Sequence, residues 1–118
     1  MKAILIDATK KTIEEVDVPS ENTLKTWYSL IGCNLVTCAF YINETDSVLV
    51  DDEGLLKQPQ HFFTYEGFHQ PLAGSGLVVG CDEEGETTSV KTTLEEVREK
   101  VKFMDIVEVL QYITANKL

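Results

Sequence analysis

Histidine, cysteine and clustered carboxylates are the side chains of this sequence able to do chemistry, and their spacing limits what they can do together. His61 and His69 are the only histidines, and with Cys81 they offer zinc-ligand types. A His-x7-His spacing matches no common zinc site, however, and there is no CxxC. Cys33 and Cys38 stand five positions apart, so on one extended strand they point to opposite faces and share no metal. Two acidic turns, Asp51-Asp52-Glu53 and Asp82-Glu83-Glu84 with Glu86, present oxygen ligands, but neither has the spacing of a twelve-residue calcium loop. Carboxylates in exposed turns also lack the apolar pocket that raises one pKa for acid and base work. Gly74-Ser75-Gly76 is half of a dinucleotide fingerprint placed before a strand, whereas a phosphate cradle follows a strand and opens a helix. Its glycines are read as points of close backbone approach or a bulge. With no GxSxG and no basic strip carrying interleaved aromatics, nothing here calls for an enzyme, a metal or a cofactor.

Two candidate surfaces remain. One is acidic: Asp51, Asp52, Glu53, Asp82, Glu83, Glu84 and Glu86, with Glu44 and Asp46 able to extend it. Charge reversal at Asp51, Asp52, Asp82, Glu83 and Glu84 is expected to remove binding there and leave the fold intact. The other is aromatic: "HFFTYEGF" (61–68) sets Phe62, Phe63, Tyr65 and Phe68 within eight residues, a candidate pocket lining if these side chains are not simply core. Twenty acidic against ten basic side chains give a net charge of −10. Nucleic acid is disfavoured as a direct partner, because phosphate contacts need clustered Lys and Arg. The partner expected is a protein.

The elements that must position these groups follow from periodicity. The chain of 118 residues is read as a single domain, 1–118, long enough to bury roughly two-thirds of its unfolded surface. Three cysteines make no disulfide framework and no secretory pattern opens the sequence, so a cytoplasmic setting is expected. The longest apolar run, 35–42, falls far short of the roughly 20 residues that span a bilayer. The first 18 residues read as a hairpin of two strands. Ser20 is the expected N-cap of a helix with Glu21 in its first turn, Leu24, Trp27, Tyr28 and Ile31 on one face and Gly32 as its stop. "LVTCAFYI" (35–42) alternates as a central strand, Val36, Cys38, Phe40 and Ile42 on one face and Leu35, Thr37, Ala39 and Tyr41 on the other, one side fully and one partly buried, and 47–50 returns beside it across the turn "NETD".

"HFFTY" (61–65) and "GLVVGC" (76–81) read as strands, with "TTSV" (87–90) as a partner for the second. Thr93 and Glu96 make a capping box opening a helix with Leu94, Val97, Val101 and Met104 inward. A break near 103–105 separates it from a last helix with Ile106, Val109, Leu110 and Ile113 in line, where Asp105 and Glu108 repeat the cap spacing. The expected fold is α+β: a mostly antiparallel sheet of about five or six strands, one helix after the first hairpin, and a C-terminal helical pair packed on one face. "SVLVDDEG" (47–54) and "GLVVGCDEEG" (76–85) echo one another, as two hairpins with the same turn chemistry would.

The ordered set "MKAILID", "WYSLIGC" (27–33), "LVDDEGLLK" (49–57) and "LAGSGLVVGCDEEGE" (72–86) resembles the family catalogued as domain of unknown function 3846, small proteins of bacteria, phages and mobile elements. The similarity runs over most of residues 1–86. It implies no activity, cofactor or catalytic residue, and it implies a mobile-element setting. By analogy with small acidic proteins of such elements, it suggests an inhibitor of a host nuclease or DNA-binding protein. The alternative is a small-ligand-binding domain using 61–68.

Overall fold

The structure, a computed structural model, describes residues 1–57 and 59–116. β1 (Lys2–Asp7) and β2 (Thr12–Asp17) form the expected antiparallel hairpin, with Ile6 opposite Ile13. β3 (Val36–Tyr41), β4 (Asp46–Asp51), β7 (Gly76–Cys81) and the short β8 (Thr87–Thr88) complete a large sheet. Its order is β2-β1-β7-β4-β3, antiparallel throughout, with β8 paired to the end of β7. A second, three-stranded sheet runs β6-β5-β9, made of β5 (His61–Tyr65), β6 (Leu72–Ala73) and β9 (Val101–Asp105). With α1 (Thr23–Ile31), α2 (Leu94–Lys100) and α3 (Ile106–Asn116), the fold is α+β, with one helix after the first hairpin and a C-terminal pair.

Strand alternation builds four layers. On the large sheet Ala3, Leu49, Leu77 and Val79 face α1 and meet Ile31, Trp27 and Tyr28. The alternate residues Ile4, Ile6, Val48, Val50 and Val78 face the small sheet and α2, where they meet Phe63, Tyr65, Val97 and Val101. On the far side of the small sheet Phe62 and Met104 pack with Val109 and Ile106 of α3. A strand buried on both faces reads as a continuous apolar run, which is why β7, GLVVGC, carries so little polarity.

Four local expectations are corrected. β3 is the margin of the large sheet and β7 is central. A register shift between Cys38 and Phe40 leaves Ala39 as the extra residue of a bulge. That slip moves Val36 and Cys38 to the α1 face while Phe40 and Ile42 pack on the other, so the four do not share a face. Second, α1 begins at Thr23 rather than near Ser20: Asn22 takes the N-cap position in the left-handed region, φ 55, with no side-chain capping bond. Gly32 ends the helix as expected, at φ 81 with its N–H on Tyr28 O, while Leu24 is exposed. Third, α2 stops at Lys100, and Val101 and Met104 belong to a strand. Five consecutive antiparallel pairs along β5, from Tyr65 with Val101 to His61 with Asp105, outweigh the helical period of that segment. Fourth, in the last helix Val109 is buried but Leu110 and Ile113 are exposed. Both predicted caps on this segment form: Thr93 Oγ1 accepts from Glu96 N–H at 3.2 Å, and Asp105 Oδ1 accepts from Glu108 N–H at 2.8 Å.

Candidate functional site

The end of the large sheet where β4 begins and β7 finishes carries a cluster of exposed carboxylates on two adjoining turns. In the 43–45 turn Asn43 Oδ1 accepts from the N–H groups of Thr45 at 2.9 Å and Asp46 at 2.8 Å, the local bonding that makes Asn a turn residue. Cys81 N–H donates to Thr45 O at 2.8 Å, so this turn is docked against the turn that follows β7. There Asp82 Oδ1 accepts from Glu84 N–H and Glu86 N–H, both at 2.9 Å, and Gly85 takes φ 83. Asp82 is thus committed to the turn, while Glu83, Glu84 and Glu86 are exposed, as is Glu44 on the docked turn. The ion pairs found among the described residues, Met1 with Asp17 and Lys57 with Asp51, include none of these carboxylates.

Asp46, expected as part of the acidic surface, is instead fully buried. Its Oδ2 accepts from Thr92 N–H and Thr92 Oγ1, each at 2.6 Å, and from Lys91 N–H at 3.0 Å. Burial pushes this carboxyl up, but the Thr92 and Lys91 donors with Asn43 outweigh it and hold the pKa below 3.8. Asp46 therefore ties the start of β4 to the residues just before the Thr93 cap of α2. The signal in the sequence was the turn set "NETD"; the partner, 46 positions away, gave none.

The other acidic turn lies at the opposite end of the sheet. Asp46 pairs with Gly80 and Val50 with Gly76, so Asp51 and Asp82 stand roughly 20 Å apart at about 3.3 Å per residue. Asp51 Oδ1 accepts from Glu53 N–H at 2.9 Å and Oδ2 from Lys57 Nζ at 2.7 Å, with Asp52 exposed and Glu53 half-buried. The seven candidate carboxylates thus divide into two groups. Because Asp51 and Asp82 hold their turns, reversing their charge disturbs local structure as well as surface potential.

The aromatic candidates divide as well. Phe62 and Phe63 are core, one toward α3 and one toward the large sheet. Tyr65 and Phe68 line a cavity of about 490 Å³ on the small sheet, with Lys100, Lys102, Phe103 and Met104. Phe68 stacks on Phe40 at 4.6 Å between ring centroids, and Phe40 meets Tyr65 edge-on at 5.2 Å. Tyr65 Oη is buried without a hydrogen-bond partner among the described residues, and burial, with the Glu96 and Asp46 charges, raises its pKa.

Elsewhere, Gly74 takes φ 77, and a Cβ on Gly76 would sit 2.6 Å from the Phe63 ring, so the glycines around Ser75 serve conformation and close approach. Ser75 Oγ accepts from Ala8 N–H at 3.1 Å. Burial, with Asp51 nearby, raises the Cys33 pKa and keeps that thiol protonated, the reverse of nucleophile activation. Among the described residues no three His, Cys, Asp or Glu side chains are placed to hold a metal ion, and no helix is long and apolar enough to cross a membrane.

The family model described as Domain of unknown function (DUF3846) matches residues 1–102. The chain belongs to the DUF3846 family. The match spans the large sheet, α1, α2 and the start of β9, and α3 lies beyond it. Neither a curated protein nor a solved structure matches the chain.

Proposed function

We propose that this DUF3846 protein is a non-enzymatic accessory protein of a bacterial mobile element or phage, which binds a basic protein surface in the cytoplasm. The observation that carries this reading is the Asp82 end of the large sheet. Glu83, Glu84 and Glu86 stand with Glu44 on two docked turns, and no cation of the described residues pairs with them. Fixed, unpaired carboxylates in a chain of charge −10 attract a cationic surface and raise its association rate at low salt. Nucleases and DNA-binding proteins carry such surfaces, because they must meet phosphate. The proposed partner is of that class, and the effect proposed is inhibition.

The test compares three forms of the full chain as bait in host lysate, with mass spectrometry of what is retained. These are the native protein, Glu83→Lys/Glu84→Lys/Glu86→Lys, and Asp52→Lys/Glu53→Lys at the far end. A basic protein held by the native and far-end forms and lost from the first variant is the expected result. Retention that does not depend on charge contradicts it.

A second reading is favoured by one observation. The cavity of about 490 Å³ has the size and mixed lining of a small-molecule site, with Tyr65 and Phe68 among its walls. Ligand screening in which Phe68→Ala removes the hits, and the Glu83/Glu84/Glu86 changes do not, would favour it.

A further inference from the structure

The large sheet has two margins, β2 and β3. The β2 margin carries Glu14, Glu15 and Asp17, and Arg98 of α2 reaches it, donating to Ile13 O at 3.0 Å. In the small sheet, β6 is two residues long and β9 carries Lys102 and Asp105. Shortness, charge, covering and bulges are the means by which an edge avoids pairing with another chain. β3 has only the last, its bulge at Ala39: its six residues, VTCAFY, include no charge, and α1 lies over β1 and β7 instead. Cys38 is consequently exposed, and Tyr41 and Leu35 are 69% and 48% exposed.

We propose that β3 pairs antiparallel with β3 of a second copy of this chain, joining two large sheets across a two-fold axis. An edge strand offers N–H and C=O groups that another extended backbone satisfies. Two copies that each carry −10 repel, so they meet where carboxylates are absent, and residues 36–42 hold none. Antiparallel self-pairing sets this uncharged run against itself, with Cys38 near the axis. It also brings Tyr41 toward the Leu35 end of the second copy's strand, apolar against apolar. The bulge at Ala39 keeps the regular pairing short, so the association is concentration-dependent.

The test is sedimentation velocity of the full chain over a rising concentration series. A Cys81→Ser form, in which Cys38 is the exposed thiol, is treated in parallel with a short bismaleimide cross-linker. The expected result is a dimer that grows with concentration and cross-links through Cys38. Thr37→Glu/Tyr41→Glu, with folding checked by circular dichroism, should weaken it about tenfold or more by placing carboxylates on the paired edges. Amide hydrogen exchange of the native chain gives a readout free of substitutions: β3 amides should slow as concentration rises. A native chain that stays monomeric throughout overturns the proposal, as does a dimer untouched by the double change. A dimer lost on Leu110→Lys/Ile113→Lys also overturns it, because that places the interface on α3.

Discussion

The turns after β4 and β7 begin alike and finish differently. In each, an aspartate follows the strand and its Oδ1 accepts an N–H two residues on, from Glu53 for Asp51 and from Glu84 for Asp82, both at 2.9 Å. The echo in the sequence is therefore real at the level of turn chemistry. Surroundings then separate them. The Asp51 turn runs into a 3₁₀ helix, Gly54–Lys57, whose lysine returns to pair with Asp51, while Leu55 and Leu56 face solvent. The Asp82 turn reverses into β8 and leaves its glutamates without an ion pair among the described residues, on a turn docked against the one that carries Glu44. One acidic turn is partly neutralised within its own segment, and the other is an open charge. Shared turn chemistry therefore does not make equal surfaces.

The largest effect separating the two ends should come from beneath the Asp82 end. Asp46→Ala removes the acceptor of Thr92 and Lys91 and should destabilise the protein by about 3 kcal/mol in urea unfolding. Asp51→Ala, whose partners are a lysine at the surface and one turn N–H, should cost far less. The sign with pH follows from the lowered pKa of Asp46. Its contribution is complete above 3.8 and is lost as pH falls through the lower folded value. Unfolding curves of native and Asp46→Ala proteins should therefore converge in acid.

Next come the glycines of β7, one toward each turn. A Cβ on Gly80 would meet Ser89 O at 2.6 Å, backbone of the strand's own partner segment, and one on Gly76 would meet the Phe63 ring at 2.6 Å. Each alanine should cost about 1–3 kcal/mol. Gly80→Ala should also loosen the 82–86 turn, seen as faster amide exchange there, whereas Gly76→Ala should leave that turn unchanged.

Asp82→Ala loses two turn hydrogen bonds and should cost about 1 kcal/mol by thermal melting. The smallest effect is expected at Tyr65→Phe. The hydroxyl it removes has no partner among the described residues, so stability should stay within about 0.5 kcal/mol of native or rise.

What the sequence revealed tracks how local each cause is. The first hairpin, the Gly32 stop, the Thr93 cap and both acidic turns rest on bonds within a few residues, and they were legible. The position of β3 at a margin was not, because strand order depends on which long-range pairs win. The flip at Ala39 was not, because a bulge leaves no fixed mark in an alternating run. Residues 101–105 fit a helix by period and become a strand only because β5 offers them an edge. The candidate site shows the same division. Glu83, Glu84 and Glu86 could be read as exposed from their turn. Whether Asp46 was surface or core, whether the two turns adjoined, and which aromatics reached a cavity all depended on packing across the chain.

The most direct test of the claim that one end of the large sheet is the working surface is an NMR titration of the full chain with a lysine-rich peptide at low salt. The amides of Glu44, Glu83, Glu84 and Glu86 should shift first, saturably, and lose the response as salt rises. Shifts that appear first at Asp52 and Glu53, or evenly over every exposed carboxylate, would contradict that claim.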